Sequence, residues 1–226
     1  MSELVSYSLA DGIATLAMDD GKVNAMSVPM LRVLHACFDR AEADGAVVLL
    51  TGRPGIFSAG FDLKVFPQGP AATVAMLRLG ATLAQRILSF PFPVVTACSG
   101  HAYPAGAFLM LSADRRIGCA GDFRIGMNEV SIGLTLPLFA VEIARQRLTP
   151  AYFQRTVTGE MFGPDEAVVA GFLDEVVPAG ELAARGREVA QSLAAIDLKA
   201  HATTKLRVRG ACLAALQGAI ESELQL

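Results

Sequence analysis

Phe92 to Asp114 reads FPVVTACSGHAYPAGAFLMLSAD, and the architecture turns on whether this stretch is one long helix or a strand, a turn and a helix. Its first half, with Val94, Val95 and Ala97, has the apolar pattern of a buried strand. A short loop is expected from Ser99-Gly100 onward, and Pro104-Ala105-Gly106 then opens a helix reading AFLMLSA. Proline suits the first helical position, where its missing N–H has no intrahelical acceptor to lose. The N–H groups of Ala105 and Gly106 therefore point out of the helix start, with the positive end of the helix dipole behind them. An oxygen gaining negative charge is stabilised at such a place. A tight strand-to-helix turn with nothing bound has the same sequence.

The same stretch raises a membrane question, because Ile87 to Ala113 contains no Asp, Glu, Lys or Arg. That length exceeds the roughly 20 residues that a spanning helix requires. Pro91, Pro93, Ser99, Gly100, His101 and Pro104 would break such a helix near its middle and leave backbone groups unpaired in lipid. A buried strand, a turn and a buried helix satisfy the pattern instead, so no membrane association is expected. MSELVSYSLADG at the start lacks a basic segment followed by an apolar run, so no signal peptide is expected either.

Outward from this stretch, one α/β core with a helical C-terminal third is the simplest organisation of the 226 residues. Val5–Leu9, the Asp11-Gly12 turn and Ile13–Met18 predict an opening hairpin. Ser27 caps a predicted helix whose apolar face carries Leu31, Leu34, Cys37 and Phe38. Ala46–Leu50 is a continuous apolar run of the kind found in buried parallel strands. Thr51 to Lys64, TGRPGIFSAGFDLK, reads as a Gly-rich loop, followed by a helix over Ala71–Leu88. Arg115–Cys119 predicts a strand and Phe123–Ile125 a short one before the loop GMNEVSIGL. Helices are expected over Pro137–Arg147, Pro150–Thr158 and Pro164–Ala170, a short strand over Leu173–Val177, and helix again over Ala179–Ala195 and Leu198–Leu226. No internal repeat is evident.

Composition excludes several functions. The apolar fraction is 53%, the charged fraction 18% and the net charge −3, with no basic cluster, so nucleic acid is not an expected partner. Cys37, Cys98, Cys119 and Cys212 lie far apart with no C-x-x-C pair, which fits reduced thiols in a cytoplasmic protein. His35, His101 and His201 are scattered and predict no metal site. Ser58 and Ser99 lack the GxSxG frame of a nucleophile elbow. Gly55 and Gly60 have phosphate-loop spacing, but Phe61-Asp62 replaces the Lys-Ser/Thr that would complete it. Lys205, Arg207 and Arg209 read as a solvated helix face, with a phosphorylated ligand as the alternative.

Three features remain. The Ser58-Ala59-Gly60-Phe61 loop offers accessible backbone N–H groups after a buried strand, as does the Ala105 helix start. Donors from two such loops can converge at the carboxyl ends of parallel strands. Glu129 is the only charged residue between Arg124 and Glu142. A carboxylate buried without a partner has a raised pKa, which suits a base that must also return a proton. A turn cap, or a pair with Arg124, is the structural alternative. Asp62 reads as a turn residue and His101 as a loop or packing residue.

In this order and spacing, the features resemble the crotonase (enoyl-CoA hydratase/isomerase) superfamily. FSAGFDL (Phe57–Leu63), SGHAYPAGAFLMLSADRRIG (Ser99–Gly118), IGMNEVSIGL (Ile125–Leu134) and VVAGFLDEVVP (Val168–Pro178) are similar to its signature segments. The resemblance implies a spiral of ββα units over residues 1–195, with residues 196–226 as a C-terminal helical segment short for the family. It implies assembly as a homotrimer or dimer of trimers. It also implies an acyl-CoA substrate, with coenzyme A present only as part of the thioester and no separate cofactor. Phe61 and Ala105 would supply the oxyanion-hole N–H groups. Ala59, Gly60, Asp62 and Leu63 would line the acyl-CoA groove, with Asn24 and Ala25 near the CoA moiety.

One departure points to a subfamily. Hydratases of this superfamily use two glutamates; one corresponds to Glu129 and the other to Phe108, which cannot transfer a proton. An apolar residue there, Pro-Ala-Gly before it and GxNE after it are most similar to 3,2-trans-enoyl-CoA isomerases. The resemblance thus implies a fatty-acid-metabolising isomerase with Glu129 as its single acid/base. A hydratase, a hydrolase or decarboxylase, and a non-catalytic acyl-CoA-binding homologue are the alternatives.

Overall fold

The computed structural model describes residues 4–225; the first residues of the segment read for a leader, and Leu226 of the helical tail, lie outside them. The chain opens with the expected hairpin, β1 (Val5–Ala10) paired antiparallel with β2 (Ile13–Met18). Helix α1 (Val28–Ala43) follows, with the Ser27 hydroxyl accepting from the Met30 N–H and with Leu31, Leu34, Cys37 and Phe38 buried. From there the chain winds in three similar turns. β3 (Val47–Thr51), β4 (Gly55–Ser58) and α2 (Pro70–Ser89) make the first; β5 (Val94–Cys98), β6 (Gly100–Ala102) and α3 (Pro104–Ser112) make the second. β7 (Arg115–Cys119), β8 (Ile125–Gly126) and α4 (Leu138–Arg147) make the third, with a single 3-10 turn at Val130–Ile132 before the helix. The chain then runs through α5 (Pro150–Thr156), β9 (Met161–Phe162), α6 (Pro164–Ala170) and β10 (Glu175–Val177) to α7 (Leu182–Ala194) and α8 (Leu198–Glu223).

Each turn gives its first strand to one sheet and its second to another. The larger sheet has order β1-β2-β3-β5-β7-β10 and is parallel from β2 onward; the smaller has order β4-β6-β8-β9. This is the ββα spiral implied by the resemblance.

β4 and β6 fall where the sequence predicts loops. Both are three or four residues long and glycine-containing, and they pair with one another across 45 positions, Gly55 opposite Gly100. Strands this short carry no alternating pattern, and their pairing is non-local.

The larger sheet is covered on both faces, which explains its continuous apolar runs. Val48 and Leu50 of β3 face the main core with α1, α2 and α3, whereas Val47 and Leu49 face α7 through Leu182, Val189 and Ala190. α8 packs on α2 and α4, and Leu216, Ile220 and Leu224 join the main core. α3 is buried from Ala105 through Ser112, so its freedom from charge reflects a protein interior. No described helix is long and apolar enough to cross a membrane.

Candidate active site

A cavity of about 280 Å³ opens where the β4–α2 connection, the start of α3 and the segment after β8 meet. Ala59, Gly60, Phe61 and Leu63 line it from the first, Tyr103 and Pro104 from the second, and Asn128, Glu129, Ile132 and Leu134 from the third. Leu77 of α2 and Phe66 close one side. A larger cavity of about 400 Å³ lies on the far face, between Leu49, Ala97 and Cys119 of the sheet and Leu182 of α7. No described carboxylate lines it, and burial raises the Cys119 thiol above its ordinary value.

The wall formed by residues 58–61 is built from backbone hydrogen bonds. The Ser58 hydroxyl donates to the Asn24 carbonyl at 2.7 Å and accepts from the Gly60 N–H at 3.1 Å. The Ala59 N–H donates to Val23 O at 2.9 Å, and the Met26 N–H to Gly60 O at 2.8 Å. On the adjoining strand, the Tyr103 N–H donates to Ser58 O at 2.9 Å and the Ala107 N–H to Tyr103 O at 2.9 Å. These bonds leave out Phe61 and Ala105: among the described residues neither N–H has an acceptor. Gly60 (φ +92°) lies between them, in a conformation suited to glycine. A Cβ built on it would lie 3.7 Å from the Ala105 nitrogen, which fixes how closely the two loops meet.

Asn24 is fully buried at φ +52°, a conformation that asparagine tolerates better than most residues. Its Nδ2 donates to Met18 O at 3.0 Å and Phe57 O at 3.3 Å, and its Oδ1 accepts from the Asp20 N–H at 3.0 Å. The Ala25 N–H donates to the Asp20 carboxylate at 3.2 Å. Both residues hold the segment against which residues 58–61 rest, and neither side chain lines the cavity. Asp62 accepts from the Lys64 N–H at 3.1 Å as a turn residue and also lies off the lining. Phe108 stands behind the wall: its ring packs against Phe61 at 5.6 Å and it is 1% exposed.

Glu129 leads into the 3-10 turn, and its carbonyl accepts from the N–H groups of Ile132 and Leu134. The residue is 8% exposed, and its side chain makes no capping hydrogen bond and pairs with no described cation; Arg124 is exposed and forms no ion pair with it. The Oε2 atom has no partner. Burial pushes the Glu129 carboxyl up to about 7, against the lowering influence of its own backbone N–H. Among the described residues Glu129 is the sole carboxylate on the cavity wall. His101 packs edge-on to Phe123 at 5.4 Å, and its Nδ1 accepts from the Arg124 N–H. Among the described residues no cluster of three His, Cys, Asp or Glu side chains has the arrangement to hold a metal.

The far end of α3 is held by cations. Arg147 Nε donates to Leu111 O at 3.0 Å; Arg209 donates to Ser112 O at 3.1 Å and Ala113 O at 3.2 Å. Lys205 and Arg209 also pair with Asp114 at 2.7 and 2.8 Å. Both are 5% exposed, which corrects the solvated-face reading of these two residues. Their carbonyl and carboxylate partners, distant in sequence, offset the cost of burying them. Positive charge at the C-terminus of α3 complements its dipole; at the other end Pro104 lines the cavity, and Ala105, 1% exposed, lies just behind that lining. Tyr103, Asn128, Thr135 and Leu77 also line the cavity. The position of Asn128 next to Glu129 was a usable signal; Leu77 reads from sequence as any core residue of an amphipathic helix.

The sequence pattern of the enoyl-CoA hydratase/isomerase family matches residues 8–226. The crystal structure of an enoyl-CoA hydratase/isomerase family protein from Pseudomonas syringae superposes with a TM-score of 0.97 at 50% identity, covering 98% of this chain and 97% of that one. The Mycobacterium tuberculosis enoyl-CoA isomerase gives a TM-score of 0.94 at 42% identity, covering 98% and 97%. The mitochondrial enoyl-CoA delta isomerase 1 of Rattus norvegicus is 29% identical over 220 residues, 95% of this chain and 76% of its own length. Two strand-to-helix loops that meet beside a buried carboxylate, on a ββα spiral shared with these proteins, make this chain a member of the enoyl-CoA hydratase/isomerase family.

Proposed function

We propose that this protein shifts the double bond of a 3-enoyl-CoA to give the 2-trans-enoyl-CoA. The observation that carries this reading is the lone carboxylate: among the described residues Glu129 is the only acid on the cavity wall, and burial pushes its carboxyl up to about 7. The Glu129 carboxylate takes a proton from C2 of the bound thioester. The C–H electron pair moves toward the carbonyl, giving a dienolate whose oxygen accepts hydrogen bonds from the Phe61 and Ala105 N–H groups. Glu129, now protonated, delivers the proton to C4, the carbonyl re-forms, and the double bond lies between C2 and C3. One residue serves as acid and base, and coenzyme A enters and leaves as part of the substrate, so the cycle needs no further cofactor.

A pKa near the working pH keeps both the carboxylate and the acid accessible, which favours transfer in each direction. Each oxyanion donor is worth roughly 3–4 kcal/mol in transition-state stabilisation. Hydration needs a second group to hold and activate water. Phe108 occupies the corresponding position, behind the Phe61 ring, and contributes no such group. The isomerase name of the rat relative supports the same choice, whereas the mycobacterial protein carries both an isomerase and a hydratase name. The family resemblance supports assembly as a trimer or dimer of trimers.

The test is a parallel product assay with 3-hexenoyl-CoA and crotonyl-CoA. Conversion of the first to 2-trans-hexenoyl-CoA with little hydration of the second is expected. Hydration of crotonyl-CoA at a comparable rate would assign the site to a hydratase.

A further inference from the structure

Phe61 lines the cavity and carries two different groups, an N–H without an acceptor among the described residues and a phenyl ring. The ring is wedged. On one side it lies directly on the backbone of α2, where a Cβ added to Gly80 would come within 2.6 Å of its Cε1 and Cζ atoms. On the other side it meets Phe108 at 5.6 Å, and Phe108 packs edge-on to Phe139 at 5.2 Å. Phe108 and Phe139 are both essentially unexposed, so neither has free volume into which the Phe61 ring can retreat. The other apolar groups around the cavity, Leu63, Phe66, Leu77 and Ile132, surround the space that this ring closes off. At about 280 Å³ that space lies just below the range for small-molecule sites, roughly 300–1,000 Å³.

We propose that the Phe61 ring, seated on Gly80 and backed by Phe108, is the floor of the acyl-chain site and restricts this protein to short acyl groups. The proposal rests on the acyl-thioester reading above and adds the class of acyl chain that the site takes. Gly80 acts through Phe61: it is a positioning residue, and its missing Cβ lets the ring lie flush with α2 and out of the cavity. Truncating the ring extends the cavity toward the cleft between α2 and α3. Adding a Cβ at position 80 drives the ring the other way. The two changes therefore have opposite effects on chain length, which general destabilisation does not produce.

Calorimetric binding of saturated butyryl-, hexanoyl- and decanoyl-CoA to the full chain tests this without requiring turnover. Wild type is expected to prefer the shorter esters to decanoyl-CoA. Phe61→Ala is expected to raise decanoyl-CoA affinity relative to butyryl-CoA by at least about tenfold, the scale of gaining or losing methylene contacts in an apolar pocket. Gly80→Ala is expected to weaken hexanoyl-CoA more than butyryl-CoA, and Phe61→Leu to fall between Phe61→Ala and wild type. An unchanged length preference in these variants overturns the floor and leaves the acyl-thioester reading standing. No binding of any of the three esters to wild type overturns that reading, and the floor with it.

Discussion

Replacing Glu129 with glutamine removes a titrating group while keeping its shape, so its effect on stability depends on pH in a way that can be worked out. Burial raises the carboxyl from 4.5 to about 7 in the folded protein. Between those values the folded state binds more protons than the unfolded chain, so stability falls as pH rises. The contribution of the neutral acid is fully present below 4.5 and is lost as pH rises through 7. At about 1.4 kcal/mol per pKa unit, the loss amounts to roughly 3 kcal/mol at pH 8. A neutral amide in the same place bears no such cost. Glu129→Gln should therefore be more stable than wild type at pH 8 by about 2–3 kcal/mol, with the difference shrinking toward zero near pH 4.5. Urea denaturation at pH 5 and pH 8, at one protein concentration, reads this out. With a slope near 2 kcal/mol per molar urea, the midpoint moves by roughly 1 M at pH 8 and much less at pH 5. A variant less stable than wild type at pH 8, or a difference independent of pH, would refute the picture of an unpaired buried carboxylate.

Arg209→Met leaves α3's terminal carbonyls short of a donor and Asp114 short of a partner. Breaking a buried pair typically costs about 3–5 kcal/mol, so a clear drop in the thermal midpoint is expected, with wild-type stability counting against the capping role. For the isomerase rate, kcat/KM should rise tenfold per pH unit below 7 and level off above it, as Glu129 loses its proton in the free enzyme. A profile flat from pH 5 to 9 would point to a different base. Light scattering should return three or six times the 23.7 kDa chain mass, and a monomer would contradict the proposed assembly.

Much of this architecture was legible in sequence because its physical causes are local. α1 announces itself through the Ser27 cap and one apolar stripe, and β3 through an unbroken apolar run that needs cover on both faces. The smaller sheet was hidden because Gly55–Ser58 and Gly100–Ala102 become strands only by meeting each other. The small-residue loop at 58–61, the Ala105 helix start and the isolated Glu129 could be picked out because small residues and a lone charge are visible one segment at a time; Phe61 as the donor of its loop came only from the family resemblance. The buried tasks of Asn24, Lys205 and Arg209 could not, since a polar side chain belongs in the interior only when its partners are known. Phe108 drew notice only through the family resemblance, and only the fold shows the Phe61 ring packed against it.

The proposed mechanism stands or falls on one carboxylate moving the proton in both directions. Its sharpest test is turnover of 3-hexenoyl-CoA to 2-trans-hexenoyl-CoA by Glu129→Gln beside wild type, with CoA-ester binding measured on the same samples. A loss of at least about 10²–10⁴-fold in kcat with binding retained is expected. Equal turnover by the variant would contradict it.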